Sequence, residues 1–592
     1  MKSIKTDKKD FFVYSRGIAQ EFLQSVMLVD DEAKYPGDVI ETIPVEVKRP
    51  RTLGQPVAKV ADKSADKKDV RDILGGHALN AKTIVDKFAD NGITCAILRP
   101  SDIEKENLNE KIRKVAIKAD ILVFDWVLRK GDVEGNVAKS IIAGVINDDL
   151  ELGLQRLRLI AVYTGEKNTK KIISTLKKTL KETLPRELSK EVKTEENLNI
   201  TVRSIRISVF TKKGAGSKTN EQDERTLSNE QLPETLIDEF AKMTTGLVSN
   251  VALKAFSVLR SETHRVLSRF DANIDPAFLA HRIMLEQPDD ANRLLPSLVG
   301  SEITALLEER EVGKAADKMG KVDAIQSWIE MKESEGVNIL TAFAQNNKTP
   351  SINEFLGLLR TGLIDVDISS KFNIKKSSPH KSKLTTRLMG TNEDTADSKN
   401  ADYEFAVLTT FKPEFRIQPP TLVLGTILKA IDENSFWVCI QPLCDCTRVK
   451  SDSRFLLLPL AEAVEDKDFN FILKENGKYL RLKVIFNPYK LQTIRFKRDE
   501  SRQMVYSTLS DNNKYNFIAY AKSKDVVEHE KGKPIKIERV KDNSEKEIIY
   551  EWLGELKFAH AQRIANHFAA QISRVGLDES EWLRRWLPDI GL

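Results

Sequence analysis

The stretch VMLVDDE (26–32) is decisive for the fold prediction, because an apolar run ends abruptly in acidic residues. An apolar run of this length is typical of a strand buried inside a parallel sheet. The stretches DILVFDW (120–126) and RLIAVYTGE (158–166) repeat the pattern, each with a polar residue near the end of the run. Segments in which apolar residues have helical spacing separate these runs. The alternation predicts a doubly wound parallel α/β sheet.

Strands and helices alternate five times within residues 20–245. The predicted elements are strands at 26–29, 93–98, 120–126, 158–166 and 202–214, and helices at 79–88, 104–118, 136–148 and 168–190, with a further helix opening at LPETLIDEFAKM (232–243). The last strand alternates apolar residues with Arg and Ser, which predicts an edge strand. Residues 36–76 contain many Pro, Gly and charged residues, so we interpret them as an inserted loop with little core of its own.

The rest of the chain divides by pattern into further segments. Residues 246–372 are predicted to be helical, and the polar residues 373–403 are interpreted as a linker. Short apolar runs within 404–545 predict a small β-barrel. Residues 546–592 are predicted to form C-terminal helices, with helical spacing over 551–586. We therefore expect a multidomain α+β protein.

The composition excludes several classes of protein. Lys and Arg number 93 and Asp and Glu 88, and the resulting net charge of +5 argues against a polycationic nucleic-acid coat. No run of about 18 apolar residues occurs, so no membrane-spanning helix is predicted. The 4 Cys are too few for a disulfide framework, which favours a reducing, cytoplasmic setting. Because no membrane-spanning helix is predicted either, we expect no membrane partner. No Walker loop, HExxH or G-x-S-x-G motif occurs, so we expect no output enzyme activity.

Acidic residues follow two of the strands. Asp30 and Asp31 end the first strand, and Asp125 follows the apolar run of the third. Ligands of doubly wound sheets bind at the carboxyl ends of the strands, so neighbouring strands would bring these three side chains into one crevice. Carboxylates that close repel one another unless a cation joins them, and oxygen ligands of this kind suit Mg²⁺.

The ends of the fourth and fifth strands carry residues that suit phosphate chemistry. Thr164 ends the fourth strand, and its hydroxyl can hydrogen-bond a phosphoryl group. Lys212 and Lys213 end the fifth, where an ammonium would balance negative charge. The alternative is that all these residues are ordinary strand-end polar residues of another α/β domain, which is weakened by finding four such ends in order.

The motifs VMLVDDE, ILVFDW (121–126) and AVYTG (161–165) resemble the receiver domain of two-component response regulators, which has a flavodoxin-like fold. The resemblance covers roughly residues 20–245. It implies that Asp125 is the phospho-acceptor and that a partner histidine kinase donates the phosphoryl group. The resemblance implies one reaction that the protein itself would catalyse, the slow hydrolysis of its phospho-aspartate.

The same resemblance assigns roles to the other strand-end residues. Asp30 and Asp31 would hold Mg²⁺ together with the phospho-acceptor, and the backbone carbonyl of Val127 would complete the protein ligands. Thr164 would be the switch hydroxyl that follows the phosphoryl group.

The resemblance also implies a site lysine, either Lys213 or Lys212. Lys213 is preferred, because Phe210 then stands three residues before it, where the family carries its switch aromatic. Several features depart from the family: the loop at 36–76 is inserted after the acidic pair, Gly214 stands in place of a proline, residues 129–132 replace the usual Pro-Gly turn, and the connection between the fourth and fifth strands is long. These departures keep an alternative open, namely a degenerate receiver that serves as a docking module in a scaffold or a nucleic-acid-binding subunit.

Three more stretches extend the resemblance to most of the chain: FWVCIQPLCDCTR (436–448), EWLGELKFAHAQRIA (551–565) and SRVGLDESEWLRR (573–585). They resemble large bacterial receiver-containing proteins encoded beside histidine-kinase-like ATPases in gene neighbourhoods suspected of phage defence. The resemblance implies a histidine-kinase-like partner, an antiviral role and a protein-interaction output. A nucleic-acid surface is the minor alternative, because acidic and basic residues are mixed in this half. A nuclease-like metal site built from the same carboxylates is a weaker third hypothesis.

Two smaller features suggest other sites but have plainer interpretations. Cys439, Cys444 and Cys446 have the spacing C-x4-C-x-C without a fourth cysteine nearby, so we interpret them as small buried hydrophobes rather than zinc ligands. His264 lies in SETHRVLSRF (261–270), which faintly resembles the phospho-histidine helix of kinases, and we interpret it as a surface residue.

Overall fold

The computed structural model describes most of the chain. The described residues are 10–35, 79–100, 107–129, 131–132, 134–151, 156–195, 199–213, 225–319, 322–346, 348–364, 371–372, 374, 383–413, 418–450, 453–463, 468–499, 503–521 and 546–572. The chain forms two compact units, residues 1–373 and 374–592. The insertion predicted at 36–76 lies outside the described residues. No helix in the described ranges is long and apolar enough to cross a bilayer.

The first unit is built around a sheet of eight strands. The strands are β1 Ser25–Val29, β2 Thr94–Leu98, β3 Ile121–Phe124, β4 Arg158–Thr164, β5 Lys193–Glu195, β6 Asn199–Val202, β7 Ile205–Lys212 and β8 Thr226–Leu227. Five of them pair in parallel in the order β2-β1-β3-β4-β7, which is the flavodoxin-like order. The predicted doubly wound parallel sheet is therefore confirmed.

Helices cover both faces of this sheet. They are α1 Asp10–Phe22, α2 Ala81–Asp90, α3 Leu108–Ala116, α4 Asn136–Glu151, α5 Thr169–Thr183, α6 Arg186–Ser189 and α7 Leu232–Thr244. Helices α3, α4 and α5 pack on one face, and α1, α2 and α7 pack on the other. Along β3, Leu122 and Phe124 belong to the first core, while Ile121 and Val123 belong to the second. This alternation follows from the two-residue period of a strand that is buried on both sides.

The prediction of one edge strand at 202–214 was wrong. The chain reverses between β6 and β7, where Arg203 has a left-handed φ of 53°. Strand β6 pairs antiparallel with β7, and β5 pairs with β6, so β7 lies inside the sheet. Polar residues on β7 do not make it an edge strand, because the hairpin of β5 and β6 covers it and Ser208 is fully buried.

The helices of the first unit differ from the prediction in two places. The helix predicted at 168–190 is two helices, α5 and α6, because Pro185 favours an extended conformation at Leu184, whose ψ is 150°. Helix α1 was not predicted, although Ile18, Ala19 and Leu23 at its end are buried in the core on this face of the sheet.

The segment predicted to be helical at 246–372 lies in the same compact unit as the sheet. Its helices are α8 Leu247–Leu267, α9 Asp275–Met284, α10 Asp290–Glu309, α11 Ala324–Ser334, α12 Ile339–Ala342 and α13 Ile352–Thr361, with a short hairpin of β9 Lys318–Met319 and β10 Val322–Asp323. The side-chain amide of Asn250 in α8 donates to the hydroxyl of Ser15 in α1 (3.0 Å), and both side chains are fully buried. Because buried polar groups need hydrogen-bond partners, this contact indicates that α8 packs stably against α1.

The second unit contains an antiparallel sheet that closes on itself. Its strands are β11 Thr426–Ala430, β12 Ser435–Cys439, β13 Phe455–Glu462, β14 Phe471–Glu475, β15 Lys478–Val484, β16 Gln492–Phe496, β17 Thr508–Leu509, β18 Tyr515–Ala521 and β19 Lys546–Glu555. The order β12-β11-β19-β18-β16-β13 is closed by pairing of β12 with β13. The predicted small barrel is confirmed.

The helical spacing predicted over 551–586 was wrong at its start. Residues up to Glu555 belong to β19, which pairs with both β11 and β18. The helix, α17 Phe558–Ile572, begins only after Leu556. The stretch EIIYEW (547–552) is rich in β-branched and aromatic residues, which favour strands. The remaining predicted helix, after residue 572, lies outside the described residues.

The segment interpreted as a linker at 373–403 contains regular structure. Helix α14 Leu384–Leu388 lies within it, and α15 Ala396–Thr410 begins there. The hydroxyl of Thr395 accepts from the N–H of Ser398 and caps α15. Thr395 could have indicated the start of a helix in the sequence. The residues that follow show little helical segregation of polar and apolar side chains, so no helix was predicted there. A short helix, α16 Leu443–Cys446, completes the helices of this unit in the described residues.

Candidate functional site

Strand β1 brings two carboxylates to the edge of the sheet. Asp30 and Asp31 follow Val29 directly, and Asp30 is fully buried while Asp31 is half-buried. The backbone N–H of Asp30 donates to the carbonyl of Leu98 (3.2 Å), which holds this end of β1 against β2. The Oδ1 of Asp30 accepts from the N–H of Glu32 (2.9 Å) and fixes the turn that follows.

Strand β3 brings a third carboxylate beside these two. The N–H of Asp125 donates to the carbonyl of Val29 (2.9 Å), and its Oδ1 accepts from the N–H of Trp126 (2.6 Å). One carboxylate oxygen each from Asp30, Asp31 and Asp125 lies within 4.8 Å of the others. The structure therefore brings together carboxylates that are far apart in sequence, because β1 and β3 are neighbours in the parallel sheet.

Strand β7 contributes the lysine of the cluster, and it is Lys212. Its Nζ lies 2.7 Å from Oδ2 of Asp30 and also contacts Oδ2 of Asp125, and the side chain is buried. Lys213 is exposed. The preference for Lys213 was wrong, because successive side chains of a strand point to opposite faces. Phe210 is fully buried two residues before Lys212, not three before the site lysine.

The loop after Asp125 is shaped without the family's Pro-Gly turn. The indole of Trp126 packs directly over Gly135, where a Cβ would come within 2.5 Å of the ring. Gly135 also has a φ of 65°, so this position needs glycine for two reasons. The carboxylate of Asp132 accepts from the N–H of Asn136 (2.9 Å) at the start of α4. These contacts fix the chain that leaves the site.

The comparison with protein families agrees with this arrangement. Residues 22–217 match the family model of the response receiver domain. The match covers strands β1 to β7 and the acidic cluster, and less than half of the chain. No curated protein and no solved structure gave a significant match.

The charges of the receiver domain's acidic cluster are mutually dependent. Burial raises the pKa of Asp30 to about 6, and the charge of Asp125 adds to this, while Lys212 opposes it. Burial also raises the pKa of Asp31, with Asp125 and Glu32 adding to it. Burial disfavours the ammonium of Lys212, but the carboxylates of Asp125 and Asp30 outweigh this and raise its pKa overall. Lys212 is therefore a permanent cation at neutral pH.

The chemistry of this cluster fits a divalent cation. When all three carboxylates are ionised, the ammonium of Lys212 leaves two negative charges unbalanced. Carboxylate oxygens are hard ligands of the kind that Mg²⁺ binds, and receiver domains typically bind Mg²⁺ through such acidic residues. Asp31 is half-buried, so its carboxylate lies beside the buried carboxylates and is still accessible to solvent.

Two further predicted site residues lie just after Asp125 in the chain and at the end of β4, the strand that pairs with β3. Val127 follows Asp125 by two residues and is half-buried against the core of α3, α4 and α5. Its carbonyl remains a predicted ligand. Thr164 ends β4 and is buried, and its Oγ1 accepts from the N–H of Glu166 (3.2 Å). Its role as the switch hydroxyl remains a prediction.

Sequence reasoning missed Tyr163, the neighbour of Thr164. The Nζ of Lys212 lies 5.8 Å from the centre of its ring, within the range of a cation–π contact. The Tyr163 hydroxyl donates to the carbonyl of Leu227 (3.0 Å), just before α7. Burial raises the pKa of Tyr163, so this hydroxyl stays a donor. The tyrosine in AVYTG was visible in the sequence, but its contacts depend on β8, which was not predicted.

Among the residues that the structure describes, the cysteines of the second unit belong to no cluster whose spacing suits a metal ion. Cys439 and Cys446 are buried, as interpreted from the sequence, but the interpretation was wrong for Cys444, which is exposed on α16. The thiol of Cys446 donates to the carbonyl of Gln441 (3.6 Å). A hydrogen bond with Cys439 and burial both raise the pKa of Cys446, which disfavours the thiolate that zinc requires. In the described ranges, Asp30, Asp31 and Asp125 are the cluster whose spacing suits a metal ion.

The histidine in SETHRVLSRF lies near the end of α8 and is exposed. Its neighbour Arg265 pairs with Glu262 (2.8 Å), at a kink where Glu262 leaves helical geometry. The chain beside His264 is therefore a solvated helix end, as interpreted from the sequence.

Proposed function

We propose that the receiver domain accepts a phosphoryl group on Asp125 from a phosphohistidine of a partner kinase. The observation that carries the proposal is the convergence of Asp30, Asp31 and Asp125 around the ammonium of Lys212 at the carboxyl ends of three strands. A carboxylate nucleophile, carboxylate ligands for a cation and a fixed ammonium are the parts that phosphoryl transfer to aspartate requires.

In the proposed transfer, a carboxylate oxygen of Asp125 attacks the phosphorus in line with the leaving imidazole nitrogen. The P–O bond forms as the P–N bond breaks, and the imidazole nitrogen keeps the electron pair of that bond. The ammonium of Lys212 remains beside the new acyl phosphate and balances negative charge on its oxygens. Asp30, Asp31 and the Val127 carbonyl would hold Mg²⁺, which would supply further positive charge to those oxygens.

The proposed response begins at the end of β4. The acyl phosphate adds about two negative charges to a buried crevice. Thr164 would turn its hydroxyl toward the phosphoryl oxygens and release the N–H of Glu166. Tyr163 links the same strand end to the carbonyl of Leu227, so a shift there would reach α7. Through such a shift, phosphorylation would alter a surface that a protein partner reads.

The test is intact-protein mass spectrometry after incubation with acetyl phosphate and Mg²⁺. We expect the wild-type chain to gain the mass of one phosphoryl group, labile to mild base. Asp125→Asn should abolish the gain, because an amide is not a nucleophile here. Asp90→Asn serves as the matched control, since it removes an exposed carboxylate of α2 that pairs only with Lys87 among its described neighbours; it should leave uptake unchanged.

Equal uptake by Asp125→Asn and wild type would reject the proposed acceptor. Absence of uptake by every variant, with Mg²⁺ binding intact, would favour the second candidate, a degenerate receiver that acts as a docking module. The observation that supports this candidate is that Lys212 already pairs with both Asp30 and Asp125. In that case the cluster would be a structural ion-pair network rather than a reaction site.

Other parts of the proposal rest on sequence resemblance. These are the histidine-kinase-like partner, the role in phage defence, and a protein-interaction output rather than an enzyme activity. Mixed charge in the second half supports a protein partner over nucleic acid. Metal-dependent nucleic-acid cleavage that is lost in Asp31→Asn would instead support the nuclease-like hypothesis.

A further inference from the structure

A cavity of about 210 Å³ lies in the second unit, between the barrel hairpin of β14 and β15 and helix α17. Its walls combine apolar side chains with nitrogen donors. The lining residues are Thr410, Asn470, Phe471, Phe486, Leu556, His560, Arg563, Ile564 and His567. None of these described lining residues is acidic. The cavity is remote in sequence from the receiver domain and shares no residue with its site.

Helix α17 aligns the nitrogen donors along one side of the cavity. His560, Arg563 and His567 are spaced by three and four residues, which places them on one helix face. The guanidinium of Arg563 donates to Nδ1 of His560 (2.9 Å). Because arginine is always protonated, this contact makes Nδ1 the acceptor and leaves the proton of His560 on Nε2. Burial and the charges of Arg563 and Lys557 lower the pKa of His560, which keeps this ring neutral.

Most N–H donors of the Arg563 guanidinium have no partner among the described residues. Among the described residues no carboxylate pairs with it, and its one described partner is the imidazole of His560. Asn470 also lines the cavity, and its side-chain amide has two N–H donors besides the Oδ1 that accepts from the N–H of Val484 (2.7 Å). One cation and several N–H donors, without an acidic side chain, form a setting that selects an anion.

The apolar part of the cavity is suited to a flat group. Phe471 is buried, with Phe411 edge-on to it at 5.9 Å. Phe486 meets the ring of His567 edge-on at 4.4 Å. Aromatic side chains in these arrangements leave ring faces and edges that pack well against another ring.

We propose that this cavity binds a small anionic ligand in which a carboxylate or phosphate is attached to one planar ring. The anion would bind the guanidinium of Arg563 and Nε2–H of His560, and the ring would pack between Phe471 and Phe486. The volume of about 210 Å³ suits a ligand with one ring, because pockets for drug-sized ligands are about 300–1,000 Å³. This binding is independent of phosphoryl transfer to Asp125.

The test uses the full chain and four probes: benzoate, phenyl phosphate, benzylamine and inorganic phosphate. Saturation-transfer NMR detects the aromatic probes at the protein, and calorimetric titration gives their dissociation constants. We expect benzoate or phenyl phosphate to bind saturably, benzylamine to show no saturable binding, and inorganic phosphate to bind at least tenfold more weakly than the better ring anion. The relative affinities of benzoate and phenyl phosphate identify the anion as carboxylate or phosphate.

Two variants assign the binding to this cavity. Arg563→Gln should weaken the better ring anion at least tenfold, because a charged, multiply donating contact is lost. Lys478→Gln is the matched control: it removes one positive charge from the exposed β14–β15 turn and should leave the affinity unchanged. Equal affinities of wild type and Arg563→Gln, saturable binding of benzylamine, or no binding of either ring anion would each overturn the proposal.

Discussion

At the scale of single residues, the receiver site depends on which of two adjacent lysines faces the carboxylates. Lys212 is buried against Asp30 and Asp125, whereas Lys213 is exposed one position further along β7. A buried ammonium between carboxylates interacts strongly, because little water screens it. An exposed lysine beside it contributes little to the same site. The two positions therefore give a matched pair of variants.

Lys212→Gln should slow phosphoryl uptake from acetyl phosphate by about a hundredfold, because a fixed positive charge beside the reacting oxygens is lost. Lys213→Gln should change the rate less than twofold. The rates can be followed by intact-protein mass spectrometry at saturating Mg²⁺. A larger effect of Lys213→Gln than of Lys212→Gln would show that the exposed lysine, and not the buried one, acts in the transfer.

The same residues predict how Mg²⁺ affinity depends on pH. Asp30 has a pKa of about 6, and a metal ion competes with the proton for this carboxylate. Asp30 is mostly ionised at pH 7 and mostly protonated at pH 5, so affinity should fall about tenfold between them. Titration calorimetry at the two pH values measures this. Affinity that is constant or rises toward pH 5 would contradict a role for Asp30 as a ligand.

At the scale of elements, close packing between α17 and the barrel depends on a glycine. Gly425 precedes β11 with a φ of 89°, and a Cβ there would lie 2.7 Å from the Cβ of Ala561 in α17. Gly477, in the turn between β14 and β15, has a similar φ of 76° but open space around it. The pair separates backbone strain from the packing of α17.

Gly425→Ala should lower the free energy of unfolding of the second unit by about 3 kcal/mol, from strain and from overpacking against α17. Gly477→Ala should lower it by about 1 kcal/mol, from strain alone. Differential scanning calorimetry of the two variants and the wild type measures the difference as a shift in the transition of this unit. Similar shifts for both variants would show that α17 moves aside without loss.

At the scale of the whole molecule, strand β19 shows that the second unit cannot be divided at residue 545. It pairs with β18 on one side and with β11 on the other, and Tyr550 is buried in the barrel core. A boundary at 545, as predicted from the sequence, would remove this strand. The open edges of β11 and β18 would then expose unpaired backbone groups and core side chains.

A fragment of residues 374–545 should therefore lack a cooperative unfolding transition, whereas 374–592 should unfold cooperatively in urea. Near-UV circular dichroism of aromatic side chains provides the signal. If both fragments unfold with the same midpoint, β19 is dispensable and the barrel closes without it.

Much of the receiver domain was predictable, because its information is local. Strands β1 and β3 and the middle of β4 are unbroken apolar runs, and Asp30, Asp31 and Asp125 directly follow such runs. Parallel strands bury both faces, so the sequence must be apolar throughout, and this leaves a clear signal. The elements that were missed or misplaced, such as the hairpin of β5 and β6, have mixed composition, and pairing partners rather than pattern define them.

The sequence by itself determined the succession of the five parallel strands along the receiver domain, most of the helices between them and the acidic residues at the strand ends. The tertiary structure alone decided that Lys212 rather than Lys213 meets those carboxylates, and that β19 is a strand of the barrel. The physical reason is the same in both cases. The face to which a strand residue points, and the partner to which its backbone bonds, are set by neighbours distant in the chain, which no local pattern records.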